Sequence, residues 1–266
     1  MLFLENDEII TSGLNKIQVE LQDQTNQFYL QTLFRKDFAL SLGAEHKRLK
    51  IKSETIVSAI DDDDDFIFEN TDYFSVFSDL KLDTYNHKYF PTQGVYFHGD
   101  FHYYMLASKF NSDFKPFAIA KADLGYAFKT SNKLAFNLNA STGFKLGDNG
   151  TSTLDFALGG YGNNLINNFI PFIGYDFLSL VGNSYVKASA VADYQLIKKH
   201  HLTLEIDWAN IGVDVYESGE WFTLPDFRGY GLGYGVETFI GPTQIKYSYS
   251  PEQRKGIWFF NVGFWF

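Results

Sequence analysis

The sequence predicts an all-β fold: an antiparallel transmembrane β-barrel of about 12 strands, with short turns at one end and long loops at the other. Three observations point there. Phe 28, Tyr 17 and Trp 4 make the chain 18% aromatic, yet its mean hydropathy is only −0.18. Apolar and polar residues alternate with a period of two over long stretches, which sorts them onto the two faces of a sheet and onto no single face of a helix. The connections between these stretches alternate between the two ends of the sheet, short at one and long at the other.

Composition closes several other classes. The chain has 266 residues, with Lys+Arg 22 against Asp+Glu 32 and a net charge of −10. Nothing in that balance neutralises phosphates, so no nucleic-acid partner is expected. Cys 0 removes a disulfide framework and any cysteine-based zinc site. At 45% hydrophobic the chain is not a disordered one. The longest unbroken apolar run, Tyr103 to Ala107, is far below the roughly 20 residues of a membrane-spanning helix. No secretory signal is visible, because Met1-Leu-Phe-Leu runs straight into Glu5, Asp7 and Glu8. Barrel strands escape both tests, since alternation leaves their hydropathy near zero.

In chain order, residues 1–13 are expected to form a flexible N-terminal segment. Strands follow at 14–23 and 26–35, joined by a tight turn at Thr25-Asn26, and at 38–56 after Lys36-Asp37. A long loop, 57–71, leads to strands 72–87 and 94–108 around Phe90-Pro91-Thr92-Gln93-Gly94. In 115–129, Ala118, Ala120, Ala122, Leu124, Tyr126 and Phe128 oppose Lys121, Asp123 and Lys129. In 133–147, Leu134, Phe136, Leu138, Ala140 and Phe144 oppose Lys133, Asn137, Asn139, Ser141 and Lys145. The longest loop, 148–183, comes next. Strand 184–197 sets Val186, Ala188, Ala190, Ala192, Tyr194 and Leu196 against Lys187, Ser189, Asp193 and Gln195, and strand 201–212 sets Leu202, Leu204, Ile206 and Trp208 against Thr203, Glu205 and Asp207. After loop 213–228 come strands 229–240, 243–250 and 256–266, rich in Gly, Tyr, Phe and Trp.

The turns at Lys36-Asp37, Phe90 to Gly94, Ser131-Asn132, Lys198-Lys199 and Gly241-Pro242 fall at one end, and loops 57–71, 148–183 and 213–228 at the other. A soluble β-sandwich also wets one face of each sheet. The barrel is favoured by strands of roughly 10–15 residues against the usual 5–6, by Tyr and Trp at the ends of the apolar faces, and by an aromatic strand that finishes on Phe266.

Specific motifs then carry a family likeness. Gly229 to Ser250, with the tail Val262-Gly-Phe-Trp-Phe266, resembles the last three strands of the bacterial surface antigen family, the barrels of the BamA/TamA superfamily. Tyr89-Phe-Pro-Thr-Gln-Gly94 looks like that family's Phe-Pro-Thr-x-Gly periplasmic turn. Phe38 to Lys47, Phe156-Ala-Leu-Gly-Gly160, Gly182-Asn-Ser-Tyr-Val186 and Tyr194-Gln-Leu resemble the barrel of patatin-like phospholipases of Bacteroidetes. The likeness covers the chain from about residue 25.

The resemblance implies a bacterial outer-membrane location in a Gram-negative cell, with membrane lipids and lipopolysaccharide around the barrel. It implies an assembly machinery that recognises the C-terminal strand ending in Phe266. It implies a sixteen-strand plan with periplasmic POTRA modules and, in the patatin group, a lipase domain. Four strands, those modules and the lipase elbow Gly-x-Ser-x-Gly are missing from this sequence, which reads as part of a larger plan. The barrel is therefore expected to anchor, translocate or display a domain, and not to be an enzyme. The family's sixth extracellular loop carries a Val-Arg-Gly-Phe/Tyr motif whose arginine docks in the lumen, but 148–183 has neither Arg nor Lys. Phe227-Arg228-Gly229-Tyr230 has the motif's letters in another place, so Arg228 reads as a chance match or a lumen-facing charge.

Other candidate chemistry is weak. Asp61 to Asp65 form an acidic run that suits loose divalent binding, without the spacing of a calcium loop. His98 and His102 share a strand face with Asp100, but i and i+4 positions on a strand are about 14 Å apart, too far for one ion. His46 and His87 carry no motif, and His200 and His201 lie by a short turn, where side chains wet easily. Asp193, Glu205, Asp207 and Glu237 fall on the lumen face near Lys187, Lys246 and Arg228, as a salt-bridge network would. Gly229, Gly231, Gly233 and Gly235 lack the Lys-Ser/Thr and helix of a phosphate loop and serve to keep the inner wall thin. No catalytic, cofactor-binding or metal-ligating residue is assigned, and no cofactor is expected. Two other functions stay open: a porin- or receptor-type transport barrel with a polar lumen, and a soluble β protein that binds lipid or carbohydrate.

Overall fold

A computed structural model describes residues 2–4, 17–34, 36–55, 66–108, 114–147, 154–162, 168–219, 221 and 223–263. One twelve-stranded antiparallel sheet dominates. Its long strands are β2 (Ile17–Phe34), β3 (Phe38–Thr55), β4 (Phe66–Asp83), β5 (Gly94–Ala107), β6 (Phe117–Lys129), β7 (Leu134–Leu146), β11 (Ser184–Ile197), β12 (His200–Gly212), β13 (Phe227–Thr238), β14 (Gly241–Ser250) and β15 (Lys255–Val262). The twelfth member is β1 (Leu2–Leu4), which pairs antiparallel with Val19–Leu21 of β2. Three short strands, β8 (Phe156–Leu158), β9 (Phe169–Ile170) and β10 (Leu180–Gly182), form a second sheet within the longest loop. Neighbours in sequence are neighbours in the large sheet throughout, and its strand order ends at β1 and β15.

The predicted turn at Thr25-Asn26 is corrected. β2 runs straight through it, with Thr25 opposite Lys47 and Asn26 opposite His46. Neither residue takes the positive φ that a tight hairpin needs. Their polar side chains instead bond across the pair, Asn26 Nδ2 to His46 Nδ1 at 3.3 Å and Lys47 Nζ to Thr25 Oγ1 at 3.4 Å. Two predicted strands therefore merge, and the count stays at twelve only because β1 joins the sheet. That pairing also places Leu2–Leu4 on the sheet, within the segment expected to be flexible. The ends of the predicted loops shift too, since β4 starts at Phe66 and β13 at Phe227. A single helical turn, α1 (Val215–Ser218), follows β12.

The alternation of connections holds. Residues 36–37, 84–93, 130–133, 198–199 and 239–240 sit at one end, and the loops after β3, β5, β7, β12 and β14 at the other. Two connections are exceptions in size: 84–93 is longer than its predicted turn, and 251–254, at the long-loop end, is no longer than 130–133. β4 stops at Asp83, whose Oδ1 accepts from Tyr85 N–H at 3.0 Å, and Gly94 restarts the sheet with φ 123. A Cβ at Gly94 would collide with the Thr84 carbonyl group.

Burial is inverted relative to a water-soluble sheet. Phe28, Leu30, Leu204, Trp258 and Phe260 are 80%, 78%, 58%, 67% and 73% exposed, on strands from one end of the sheet to the other. Asp207, Ser248, His201 and Lys246 lie on the concave side at 0%, 0%, 3% and 6%. An apolar surface running around the whole sheet is far larger than a soluble monomer carries. It has the pattern of the outward band that a transmembrane barrel presents. The buried apolar cluster lies inside the curve, at the long-loop end. Tyr73, Tyr104, Phe117 and Tyr185 come from the wall, and Phe156, Leu158, Phe172 and Tyr175 from the 147–183 loop.

Candidate functional site in the lumen

The inner wall splits into two polar fields. The first spans β2 to β6. Glu45 accepts from Gln27 Nε2 at 2.7 Å and lies 3.5 Å from His102 Nδ1. His102 Nε2 meets Asp100 at 3.0 Å, and Asp100 meets Lys121 Nζ at 3.4 Å. His98 bonds Asp79 on the neighbouring strand. The histidines that share this face are thus each paired to a carboxylate. His46 belongs to the other face, its ring 4.9 Å from that of Phe74 and tilted against it, and bonded to Asp72 at 3.0 Å.

The second field lies on β11 to β14 and follows from register. Asp207, Glu205, Thr203 and His201 on β12 stand opposite Gly229, Gly231, Gly233 and Gly235 on β13. Gly231, Gly233 and Gly235 stand in turn opposite Ser248, Lys246 and Gln244 on β14. Strands are about 4.8 Å apart, so β12 and β14 are about 10 Å apart. Side chains on β13 would stand between them. With glycine there, Lys246 lies flat across the strand and forms an ion pair with Glu205. A Cβ at Gly233 would sit 3.3 Å from Lys246 Cε, and one at Gly231 3.5 Å from its Cδ. Lys187, from β11, pairs with Asp207 at 3.2 Å.

The 147–183 loop is seated on this field. Ile173 N–H donates to Asp207 Oδ2 at 3.3 Å, and Gly174 N–H to Ser248 Oγ at 3.1 Å. Lys187 Nζ donates to the Pro171 carbonyl at 2.5 Å. The Ile173 side chain and carbonyl fill the space that a Cβ at Gly229 or Gly231 would need. Tyr161 donates to Gln244, and Lys246 Nζ lies 4.1 Å from its ring centroid. The glycines of β13 thus keep the inner wall thin where the loop packs against it. The absence of Arg and Lys from this loop also has a structural counterpart: Lys145, Lys187, Lys246 and Lys255, which meet Asp155, Pro171, Tyr161 and Asp176 of the loop, all come from the wall.

At the rim, Tyr175 OH donates to Glu252 at 3.1 Å and Arg228 Nε to the same carboxylate at 2.7 Å. Burial alone would raise the Glu252 pKa, but the bonds from Arg228, Ser250 and Tyr175 hold it below the ordinary range. Arg228 is thereby corrected. It shares the outward parity of Tyr230 and closes a rim contact, so it does not face the lumen. His201 is corrected too. It is buried, not wetted, because Phe90 from the 84–93 segment stacks on it at 4.0 Å and 9°. Its ring nitrogens meet Asp193 at 2.9 Å and Glu237 at 3.2 Å. His200 points the other way and bonds Tyr234 OH at 2.6 Å. His201 has the parity of Thr203 and Glu205 on β12, but nothing in the local sequence announces that a distant turn covers it.

Between the loop and the 84–93 segment lies a cavity of about 570 Å³, lined by Tyr89, His98, Lys121, Tyr161, Glu205 and Gln244 among others. His87 lies exposed in the 84–93 segment, and the acidic run Asp61 to Asp65 and Phe266 lie outside the described residues.

The whole chain, residues 1–266, matches the OMP85 superfamily. No protein with a curated description matches it. Among solved structures, the crystal structure of BamA from Haemophilus ducreyi lacking POTRA domains 1-3 is similar, with a TM-score of 0.63 at 12% identity. The likeness covers 94% of this chain and 54% of that one, so this chain spans about half the length of the protein it resembles. At that identity the likeness concerns the fold.

Proposed function

The chain belongs to the OMP85 superfamily, and from that premise we propose that it is an outer-membrane β-barrel module of a Gram-negative cell. It anchors an attached domain and provides the pore for that domain's translocation or display. The observation that carries this reading is the inverted burial, apolar outside and charged inside, along the whole sheet. Membrane lipid and lipopolysaccharide are the partners of the outer band, and the assembly machinery is the partner of the strand that ends in Phe266. The module has no catalytic residues of its own. Glu205 and Asp207 are each tied to a lysine under a seated loop, which is a structural use of carboxylates. The likeness to patatin-like barrels makes a lipase domain the passenger we favour.

The test is extraction and flotation. The chain should leave cells only with detergent, float with lipid vesicles, and migrate differently on gels before and after heating. A chain that is soluble without detergent removes this reading. The passenger is tested on the transcript: an in-frame lipase elbow upstream of Met1 supports it, and an unrelated reading frame there removes it. The polar lumen favours a second reading, a porin- or receptor-type transport barrel. Steady ion conductance of the unmodified protein in planar bilayers would favour that reading, and a silent barrel the first.

A further inference from the structure

The 84–93 segment crosses the lumen. It leaves β4 and re-enters β5, yet two of its three aromatic residues, Tyr85 and Phe90, rest on different walls. Tyr85 lies over β6 and β7: its hydroxyl occupies the space a Cβ at Gly125 would take, beside Asn139. The ring also stacks on Tyr96 at 6.0 Å. Phe90 lies over β12 and β13, stacked on His201 and 2.7 Å from where a Gly235 Cβ would be. Only 7% of Phe90 is exposed.

Between these anchors the segment is held in shape by Asn86. Its Oδ1 accepts from Thr92 N–H at 3.0 Å and Gln93 N–H at 3.1 Å, and its Nδ2 donates to Thr92 Oγ1 at 2.8 Å. Thr84 closes the base, donating from Oγ1 to the Val95 carbonyl at 2.9 Å. A turn that only reversed the chain would need neither the extra residues nor a seat on the far wall. Two glycines make room for it, one on each wall. Above it lies the 570 Å³ cavity, and above that the 147–183 loop.

We propose that residues 84–93 form a crossbar gate at the short-turn end of the lumen, which with the loop at the other end bounds the polar chamber above and below. The proposal rests on the barrel reading above. The gate is displaced whenever Phe90 leaves its seat on His201 and Gly235 or Tyr85 leaves Gly125. Opening exposes the chamber to solutes from the short-turn side while the loop stays seated.

The chain has no cysteine, so one introduced at Asn139, beside the Tyr85 hydroxyl, reports entry into the chamber. Protein carrying Asn139→Cys is reconstituted in vesicles and treated with a charged, membrane-impermeant thiol reagent. Adding Phe90→Ala, or Gly125→Ala on the opposite wall, should raise the labelling rate by about tenfold or more, since each removes an aromatic seat. Heat-modifiable mobility shows which variants are folded. If either substitution blocks folding, Asn86→Ala, which leaves both walls intact, gives the same reading. Unchanged labelling in folded variants overturns the gate. A chain that does not enter vesicles at all overturns the barrel reading instead.

Discussion

Lys246 finds its partner two strands away, and the strand between decides whether it can reach. Its ion pair with Glu205 is possible because the strand between them carries Gly231 and Gly233. Removing one partner leaves the other charge buried and alone, which costs about 3–5 kcal/mol. Lys246→Met should therefore lower stability by that order in urea unfolding of the lipid-reconstituted protein. The double variant Lys246→Met with Glu205→Leu should recover much of the loss, since apolar replacement of a whole buried pair is often neutral. If the double variant is no better than the single, the pair does more than satisfy itself. Gly229→Val has a different expected effect. It evicts Ile173, so it should unseat the loop and raise its cleavage by protease while the wall pairs persist. The lumen-facing parity of these residues was legible from the alternation of β12 and β14. Their partners were not, because a pairing across an intervening strand depends on register, which a one-residue slip would reverse.

At the scale of elements, the 147–183 loop is a folded body with its own small sheet, where the sequence showed only a long connection. Its strands are two or three residues long, too short for a period to be read. The same holds for 84–93, where Phe-Pro-Thr-x-Gly marks a turn but says nothing of the wall it will meet. The long strands could be read because ten or more alternating residues average out local exceptions. Thr25-Asn26 misleads for the opposite reason: polar residues suited to a turn are equally suited to a cross-strand bond. The rim contact of the loop gives a pH dependence. Glu252 has its pKa depressed in the folded state, so its contribution is complete above the unfolded value of about 4.3. It is lost as pH falls through the lower folded value. Protease cleavage of the loop should thus rise in acid below about pH 4, after the unfolded value has been passed. Glu252→Gln should show the faster cleavage already at neutral pH and lose the acid response. An acid response retained in that variant would assign it to another group.

For the whole molecule, the outward band decides which solvent the fold was made for. Leu232 is half exposed near the middle of β13. In water, such a surface position tolerates substitution within about 0.5 kcal/mol. In a bilayer, arginine near the midplane costs about 2–4 kcal/mol. Leu232→Arg in reconstituted protein should show the larger cost, and the smaller one would contradict a lipid-facing band. The strand count carries a further consequence. Successive strands run in opposite directions, so among the eleven long ones the first and last, β2 and β15, point the same way. A seam made directly between them would be parallel, unlike every other pairing in the large sheet. Any antiparallel seam requires an odd number of strands inserted between the two, and β1, already hydrogen-bonded antiparallel along β2, stands in the first of those places.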